Sequence, residues 1–302
     1  MSKSMRLFYS TVTLSWGFTV RYKDVSASQP AYVIPPPTTV VGAFAYPLAR
    51  LLGERDSLEK KLTHGRGTLI SSFMEKAVDA TIAASAGVVV DEPEIGIVVH
   101  SEISKISASI YKGDSERARM RAEVHSIEFY TEALPRIFPA QAVGSAYAPG
   151  VKLLLTWVVD VEKLLKKLSM NPGVKLKEED IDSIGRLVST GVSRIGSKEG
   201  IASTDPAESG YDREPVVRAG EEFETAQYVL ASCVEPFMDT PTVELPYLDY
   251  ELRRFYVPSV QASNAILLPF RKGETRRFKL KEPCKAYQPS REGMESFTSV
   301  GV

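Results

Sequence analysis

The sequence predicts an α+β fold, because strand patterns and helix patterns alternate along the first two thirds of the chain. Apolar and polar residues alternate over residues 12–18, which is typical of a strand with one buried face. Residues 151–161 form an apolar run that suits a strand at the centre of a sheet. Helical spacing follows at residues 161–168 and 178–188, with the breaker Asn171-Pro172-Gly173 between them.

The first helix is predicted directly after the proline triplet at residues 35–37. Thr38 or Thr39 can cap its start, and Gly53 suits the left-handed position that follows a helix. Pro47 lies inside the pattern, so we expect a kink or a short break there. The predicted apolar stripe consists of Val40, Phe44, Leu48, Leu51 and Leu52.

Weaker patterns complete the order of elements. Residues 57–62 predict a second helical turn, and residues 87–90 and 95–103 predict strands. The polar stretch 105–120 lies between isoleucine-containing segments that predict the arms of a long hairpin. The resulting order is strand, helix, strand, hairpin, strand, helix, which favours a βαββαβ sheet of the ferredoxin-like or RRM-like kind.

The rest of the chain differs in pattern from this α+β part. Strand signals dominate after Gly191, so we divide the chain into a domain at residues 1–205 and a β-rich C-terminal region at residues 206–302. The composition is 43% hydrophobic and 25% charged, which is typical of a globular protein. The formal net charge of -1 excludes a polycation but permits a local basic groove.

The cysteines and the longest apolar segments bear on the compartment. Cys233 and Cys284 are far apart and show no disulfide framework, so we expect reduced thiols and a cytoplasmic protein. The apolar segments are interrupted by polar residues before they reach membrane-spanning length, and we expect no membrane association.

Several chemistries are disfavoured by spacing. His64, His100, His125 and the two cysteines show no metal-ligand spacing, so we expect neither a metal nor a cofactor. Residues 191–198 come close to a nucleotide-binding P-loop, but the order Ser197-Lys198 is reversed and a predicted helix precedes the loop. No nucleophile–base pair is visible, and we expect no enzymatic activity.

Three separate segments carry basic residues that suit phosphate binding. Residues 105–121 contain five basic residues against two acidic ones, although a solvated surface loop explains them equally well. The glycine-rich residues 191–200 add Arg194 and Lys198 to a loop that can expose backbone amides, with a flexible surface turn as the alternative. Residues 271–281 contain six basic residues and one acid. The aromatic residues available for base stacking are Tyr22, Tyr111 and Tyr130.

Two blocks of this sequence resemble one known family. The first comprises Ser15-Trp16-Gly17-Phe18, the segment Tyr32-Val33-Ile34-Pro35-Pro36-Pro37-Thr38-Thr39-Val40-Val41-Gly42, and the helix to Gly53. It resembles the signature of Cas-five proteins of the RAMP superfamily. The second, Arg194-Ile195-Gly196-Ser197-Lys198-Glu199, is similar to a block of archaeal type I-A members. The resemblance implies an RRM-like body and a protruding β-hairpin thumb at about residues 100–149, with its tip near 112–120.

The resemblance also implies a function. Such a chain is a non-catalytic, RNA-binding subunit of a CRISPR Cascade complex, an antiviral defence ribonucleoprotein. It holds the 5′ handle of the crRNA, and it docks on a Cas-seven backbone subunit and on the large Cascade subunit. The predicted RNA-binding residues are Arg21, Lys23, Lys105, Lys112, Arg117, Arg119, Arg121, Arg194, Gly196, Ser197 and Lys198.

Two other functions stay open at the level of the sequence. Some relatives cut precursor crRNA without a metal, and His125 with a nearby tyrosine and lysine would suit such an endoribonuclease. A scaffold that binds only protein is the third possibility, with Leu248, Phe255 and Tyr256 as exposed apolar contacts.

Overall fold

The computed structural model describes most of the chain in mixed α/β form, rich in sheet. The described residues are 4–20, 28–29, 31–54, 58–64, 68–89, 97–105, 140–169, 176–196, 200–258, 267–268, 275–294 and 297–301. Four α-helices have both of their ends within these ranges: α1 (Pro37–Leu51), α2 (Ser72–Ala80), α3 (Val161–Leu168) and α4 (Glu178–Thr190). The prediction of a mixed fold of strands and helices is confirmed.

The strands within the same ranges form several small sheets. They are β1 (Met5–Leu14), β2 (Gly17–Phe18), β3 (Ser28–Gln29), β4 (Lys61–His64), β5 (Thr68–Ser71), β6 (Thr81–Val89), β7 (Ile97–Lys105), β8 (Ala140–Tyr147), β9 (Lys152–Asp160), β10 (Ala202–Asp212), β11 (Val216–Ala219), β12 (Glu222–Thr225), β13 (Val229–Leu230), β14 (Val234–Pro236), β15 (Thr242–Pro246), β16 (Leu252–Tyr256), β17 (Leu267–Leu268), β18 (Arg276–Leu280), β19 (Lys285–Gln288) and β20 (Ser299–Gly301).

The central sheet has the strand order β10-β1-β9-β6, and every neighbouring pair is antiparallel. Along the chain, α1 and α2 lie between β1 and β6, and α3 and α4 lie between β9 and β10. Phe8 of β1 stacks on Trp157 of β9 with ring centroids 5.1 Å apart, and Phe44 of α1 lies 6.2 Å from both rings. This aromatic cluster is the core between the helices and one face of the sheet.

Helix α1 follows the sequence prediction with three differences. It begins at Pro37, and Pro36 takes the N-cap position without a side-chain hydrogen bond, so neither Thr38 nor Thr39 is the cap. The helix continues through Pro47 to Leu51, so no break occurs there. Leu51 is 46% exposed and therefore lies outside the buried stripe. Gly53 takes the predicted left-handed conformation at φ +76°.

The C-terminal region covers the other face of the central sheet. Leu7, Tyr9 and Val158 pack in one buried cluster with Tyr287 and Phe297. Beside this cluster, the buried Thr156 hydroxyl donates to the Gln227 side-chain oxygen at 2.9 Å and contacts the Ser299 hydroxyl at 2.7 Å. Both faces of the central sheet are therefore buried. Strand β10 runs across the predicted boundary at residue 205, and the division into two domains stays a prediction.

A second sheet contains the pair β7 and β8, which is antiparallel from Val98↔Tyr147 to Lys105↔Ala140. Of the hairpin predicted at about residues 100–149, the two ends lie in β7 and β8, whereas residues 106–139, which include the predicted tip, lie outside the described residues. The helical turn predicted at residues 57–62 is wrong at its end, because β4 occupies residues 61–64 and pairs with β5.

The two cysteines correct another expectation. Cys233 and Cys284 form a disulfide, with their Cα atoms 5.5 Å apart. The bond joins the residue directly before β14 to the residue directly before β19, although the two positions are 51 apart along the chain. The expectation of reduced thiols is wrong, and the cytoplasmic assignment loses that support.

Candidate nucleic-acid interface

A groove of about 760 Å³ runs along one side of α1. Its opposite wall is formed by residues 193–196, which follow α4, and by Thr19 and Val20, which follow β2. Leu58, Met74 and other side chains close the remaining side, together with Tyr250 from the C-terminal region. The two sequence blocks that carry the family resemblance thus meet at one groove, although about 150 residues separate them.

Helix α1 presents a regular stripe along this groove. Thr38, Gly42, Tyr46 and Arg50 recur at intervals of four residues, and such residues lie above one another on one helix face. The opposite face carries the buried Val41, Phe44 and Leu48. Thr38, Gly42 and Tyr46 line the groove with a hydroxyl, an open backbone position and an aromatic ring, and Arg50 lies one turn further along the helix, against the Tyr46 ring.

Two arginines flank Tyr46 at one end of the groove. The Tyr46 side chain is 39% exposed, and the guanidinium carbons of Arg50 and Arg194 lie 5.6 and 5.4 Å from its ring centroid. Arg50 also donates a hydrogen bond to the Tyr46 hydroxyl at 2.9 Å. Among the described residues, neither arginine forms an ion pair with a carboxylate. We call Arg50 and Arg194 the groove arginines.

Gly196 fixes the wall that carries Arg194. It has φ +70° and forms an isolated parallel bridge with Thr19. A Cβ atom at this position would lie 2.6 Å from the Thr19 carbonyl oxygen, so only glycine permits the contact. The glycine thereby ties the loop after α4 to the segment that continues into Arg21 and Lys23.

Other glycines of this region pack against protein rather than against open space. A Cβ at Gly185 would overlap the Tyr211 ring at 2.3 Å, and one at Gly191 would lie 2.8 Å from the Leu187 carbonyl oxygen. These two positions are therefore filled by the protein's own packing and do not admit a ligand. Gly185 lets α4 lie close to Tyr211 of β10, and Gly191 lets the end of α4 lie close to Pro47 of α1.

A buried ion cluster holds α4, and hence the loop that follows it, against β1. Arg6 donates to Asp182 at 2.9 Å and to Glu178 at 3.0 Å, while Tyr211 of β10 donates to the same Asp182. Burial alone raises the pKa of Asp182, but the hydrogen bonds from Arg6 and Tyr211 and the charge of Arg213 outweigh it, so the pKa lies below its ordinary value. Burial, followed by the contact with Asp182, raises the pKa of Tyr211.

Aromatic residues on an open sheet face can stack on RNA bases, but the face of the central sheet that carries Tyr9 is closed. Tyr9, the aromatic residue of β1 on that face, is buried and packs edge-to-face on Phe297 at 5.7 Å. The groove beside α1, on the helix side of the sheet, is accessible instead.

The third basic segment has different surroundings. Arg277 and Lys279 are exposed on β18, where they alternate with the buried Phe278 and Leu280. Glu224 lies opposite Arg277, and Glu222 and Glu235 lie opposite Lys279 on the two neighbouring strands. Directly opposed residues share a face of the sheet, so the glutamates offset these positive charges. We call Arg277 and Lys279 the β18 cluster.

The structure brings only some of the predicted site residues together. Arg194 and Gly196 lie at the groove. Lys105 is the last residue of β7, and the structure describes the backbone of that strand but not its side chains. The other predicted residues lie outside the described residues: Arg21, Lys23, Lys112, Arg117, Arg119, Arg121, Ser197 and Lys198. The same holds for His125 and for the predicted stacking residues Tyr22, Tyr111 and Tyr130.

Sequence reasoning missed Tyr46 and Arg50. Both lie off the apolar stripe of α1, and an aromatic residue on the polar side of an amphipathic helix was the available signal. The apolar residues proposed for a scaffold lie elsewhere. Phe255 is 2% exposed, and Leu248 and Tyr256 pack against the core, so they are not exposed contacts.

Comparisons with known proteins give distant likenesses. The chain is similar to the crystal structure of a CRISPR protein from Archaeoglobus fulgidus, with 15% identity, a TM-score of 0.49 and coverage of 98% of this chain and 99% of that one. It is also similar to a chain of a CRISPR RNA-guided surveillance complex, with 10% identity, a TM-score of 0.30 and coverage of 91% and 89%. No protein-family model and no curated protein matches the chain.

Membrane-spanning helices and metal-binding clusters are both absent from the described residues. Within them, no helix combines the length and apolar character that a membrane span requires. The same part of the chain holds no group of three or more histidine, cysteine, aspartate or glutamate side chains arranged to hold a metal ion.

Proposed function

We propose that this chain is a non-catalytic, RNA-binding subunit of a CRISPR Cascade complex and that it holds the 5′ handle of the crRNA in the groove beside α1. One observation carries the proposal. The groove arginines converge on an exposed tyrosine at a groove walled by the two family-like blocks, and no carboxylate of the described residues pairs with either arginine.

The groove residues suit a single RNA strand. Guanidinium groups bind phosphates, and an exposed aromatic ring stacks on an unpaired base. Thr38 and Thr39 line the same groove, and their hydroxyls suit hydrogen bonds to ribose 2′-hydroxyls. Residues 21–23 continue from this wall and add Arg21 and Lys23 to the proposed contact.

The fold supports the same assignment. The strand order β10-β1-β9-β6, with helices in both crossovers, is the order of a ferredoxin-like βαββαβ sheet, the body proposed for a RAMP protein. The pair β7 and β8 supplies the base of the proposed thumb. Docking on a Cas-seven backbone subunit and on the large subunit, in the cytoplasm, belongs to the same proposal.

Direct binding to handle RNA tests the proposal. Fluorescence anisotropy would measure the Kd of a labelled RNA copy of the repeat-derived 5′ handle for the wild type, for Tyr46→Ala and for Phe237→Ala. Phe237 is the matched control, because it is an exposed aromatic residue (54%) whose backbone N–H donates to Arg277 in the other basic segment. We expect Tyr46→Ala to weaken binding roughly tenfold, as loss of one stacked base does, and Phe237→Ala to leave it unchanged.

Two results would contradict the proposal. The first is an undetectable affinity of the wild type for handle RNA at micromolar concentration, and the second is an equal loss in both variants. Incubation of the wild type with repeat RNA in EDTA separates the endoribonuclease alternative, because only that alternative gives cleavage products.

A further inference from the structure

Gly42 lies in the interior of α1, where glycine is a poor choice. It has ordinary helical geometry and lies five residues after the first helical residue, Pro37. Glycine destabilises a helix interior relative to alanine, because it loses more backbone freedom on folding. Helix propensity therefore does not explain why position 42 is a glycine.

Internal packing does not supply that reason. A Cβ atom at Gly42 would meet only the Met74 side chain, at 3.7 Å from Cε and 3.8 Å from Sδ, which are ordinary van der Waals distances. Gly185, Gly191 and Gly196 differ, since a Cβ at each of them would come within 3.0 Å of another atom. Alanine fits at position 42 without any movement of the protein.

The groove supplies the reason instead. Gly42 lines it one helical turn after Thr38 and one turn before Tyr46. A strand that passes from the threonine hydroxyls to the Tyr46 ring crosses the helix at Gly42. At that point the missing side chain lets a ligand approach the backbone of α1.

We propose that Gly42 forms the floor of a subsite for one unpaired nucleobase of the bound RNA. This inference rests on the proposed function and names the part of the RNA that occupies this stretch of the groove. Ser71 and Tyr250 line the same groove, and the side chains that offer apolar surface there are Leu58 and, on α2, Met74, which is the side chain nearest to Gly42. A flat base with apolar faces fits them, whereas a phosphate fits beside the groove arginines at the other end.

Substitutions that add volume at Gly42 test the subsite. Gly42→Ala adds one methyl group in the groove and improves the helix, so we expect the Tm to rise by about 2 °C while handle RNA binds severalfold more weakly. Gly42→Leu fills the subsite, and we expect roughly tenfold weaker binding, the loss of one stacked base. Ser183→Leu places the same side chain on the exposed face of α4 and is the control, with unchanged affinity.

Abasic RNA identifies the occupant. A series of labelled handle RNAs would each lack the base at one position, and their Kd values would be measured for the wild type and for Gly42→Leu. We expect one position at which base removal weakens wild-type binding and leaves Gly42→Leu unaffected, because the base and the leucine occupy the same space.

The outcomes separate this inference from the function on which it rests. If the wild type does not bind handle RNA, the proposed function fails. If the wild type binds and both Gly42 variants bind equally well, only the subsite is overturned. If the Gly42 variants bind weakly but every abasic position behaves alike in wild type and Gly42→Leu, the occupant is not a base. Gly42→Ala keeps the test valid if Gly42→Leu fails to fold by circular dichroism.

Discussion

The groove arginines and the β18 cluster are both pairs of exposed cations, but they differ in their surroundings. Arg277 and Lys279 lie opposite three glutamates of the neighbouring strands, whereas Arg50 and Arg194 lie against the Tyr46 ring. The β18 segment has the higher density of basic residues in the sequence, yet its own sheet offsets its charge. A run of basic residues therefore predicts a phosphate site only when its neighbours in space are known.

Arg6 extends the comparison to a third case. It is buried and forms ion pairs with Asp182 and Glu178, so two carboxylates of the protein itself neutralise its charge. The three cases suggest one rule for this molecule: basic residues with carboxylate partners contribute to stability, and those without them contribute to binding. The predictions below test that rule from the largest expected effect to the smallest.

Replacement of the buried arginine has the largest expected effect. Arg6→Met keeps much of the side-chain volume but leaves the Asp182 carboxylate buried without its main partner, so we expect the unfolding free energy to fall by about 3–5 kcal/mol. Arg213→Met is the control, because Arg213 contacts the same carboxylate at 3.4 Å from an exposed position, and we expect less than about 1 kcal/mol. Urea unfolding measures both values, and equal losses would break the rule.

Removal of the disulfide sharpens the comparison by separating stability from binding. The bond closes a loop of about 50 residues in the region that carries the β18 cluster, so Cys233→Ala/Cys284→Ala should lower the unfolding free energy by about 2–4 kcal/mol. Handle RNA affinity should stay within about twofold, since the groove arginines lie elsewhere in the chain. Thermal melts of the wild type with and without a reductant give the control, and identical melts would contradict the disulfide.

Loss of the groove arginines tests binding itself. We expect the double variant Arg50→Ala/Arg194→Ala to bind handle RNA about 100-fold more weakly than the wild type. Each lost hydrogen bond to a charged group can cost up to about 1.5–3 kcal/mol of binding free energy, and the expected loss stays below the sum of two such bonds. The slope of log Kd against log salt should also fall by about 1.4, since each single-strand phosphate contact contributes about 0.7. Arg277→Ala/Lys279→Ala should change affinity less than about twofold, and a larger loss there than at the groove would reverse the comparison.

Acid sensitivity is the smallest expected effect. The pKa of Asp182 is lower in the folded chain, so its ion cluster stabilises the fold above the ordinary aspartate pKa. That stabilisation is lost as the pH falls through the lower, folded-state pKa. Arg6→Met removes the main hydrogen bond that lowers the pKa, so between about pH 7 and about pH 3 the variant should lose less stability than the wild type. Urea unfolding at both pH values measures the difference, and equal losses would contradict the assignment.

The sequence predicted the elements whose local pattern agrees with their environment. Helix α1, strand β9 and helices α3 and α4 were found within a few residues of their bounds. Strand β6 was recognised only at its end, because its residues 83–86 are alanine and serine, and alanine has low strand propensity. Ala83, Ala84 and Ala86 are buried there because other elements pack closely on both faces of the sheet, which no local pattern reveals.

The candidate site was predictable only in part, for the same reason. Arg194 and Gly196 were found from the composition of their loop, and the structure brings both to the groove. Tyr46 and Arg50 acquire their significance from a loop about 150 residues away, and Cys233 meets Cys284 across 51 residues. Such long-range contacts depend on the fold and leave no short-range signal in the sequence.

Photo-crosslinking of handle RNA tests the central claim most directly. The RNA would carry 4-thiouridine at each uridine in turn, and mass spectrometry would identify the crosslinked peptides of the wild-type protein. The account predicts crosslinks in α1 around Tyr46 and in the loop at residues 193–196. Crosslinks confined to the strands around Arg277 and Lys279, with none at the groove, would contradict it.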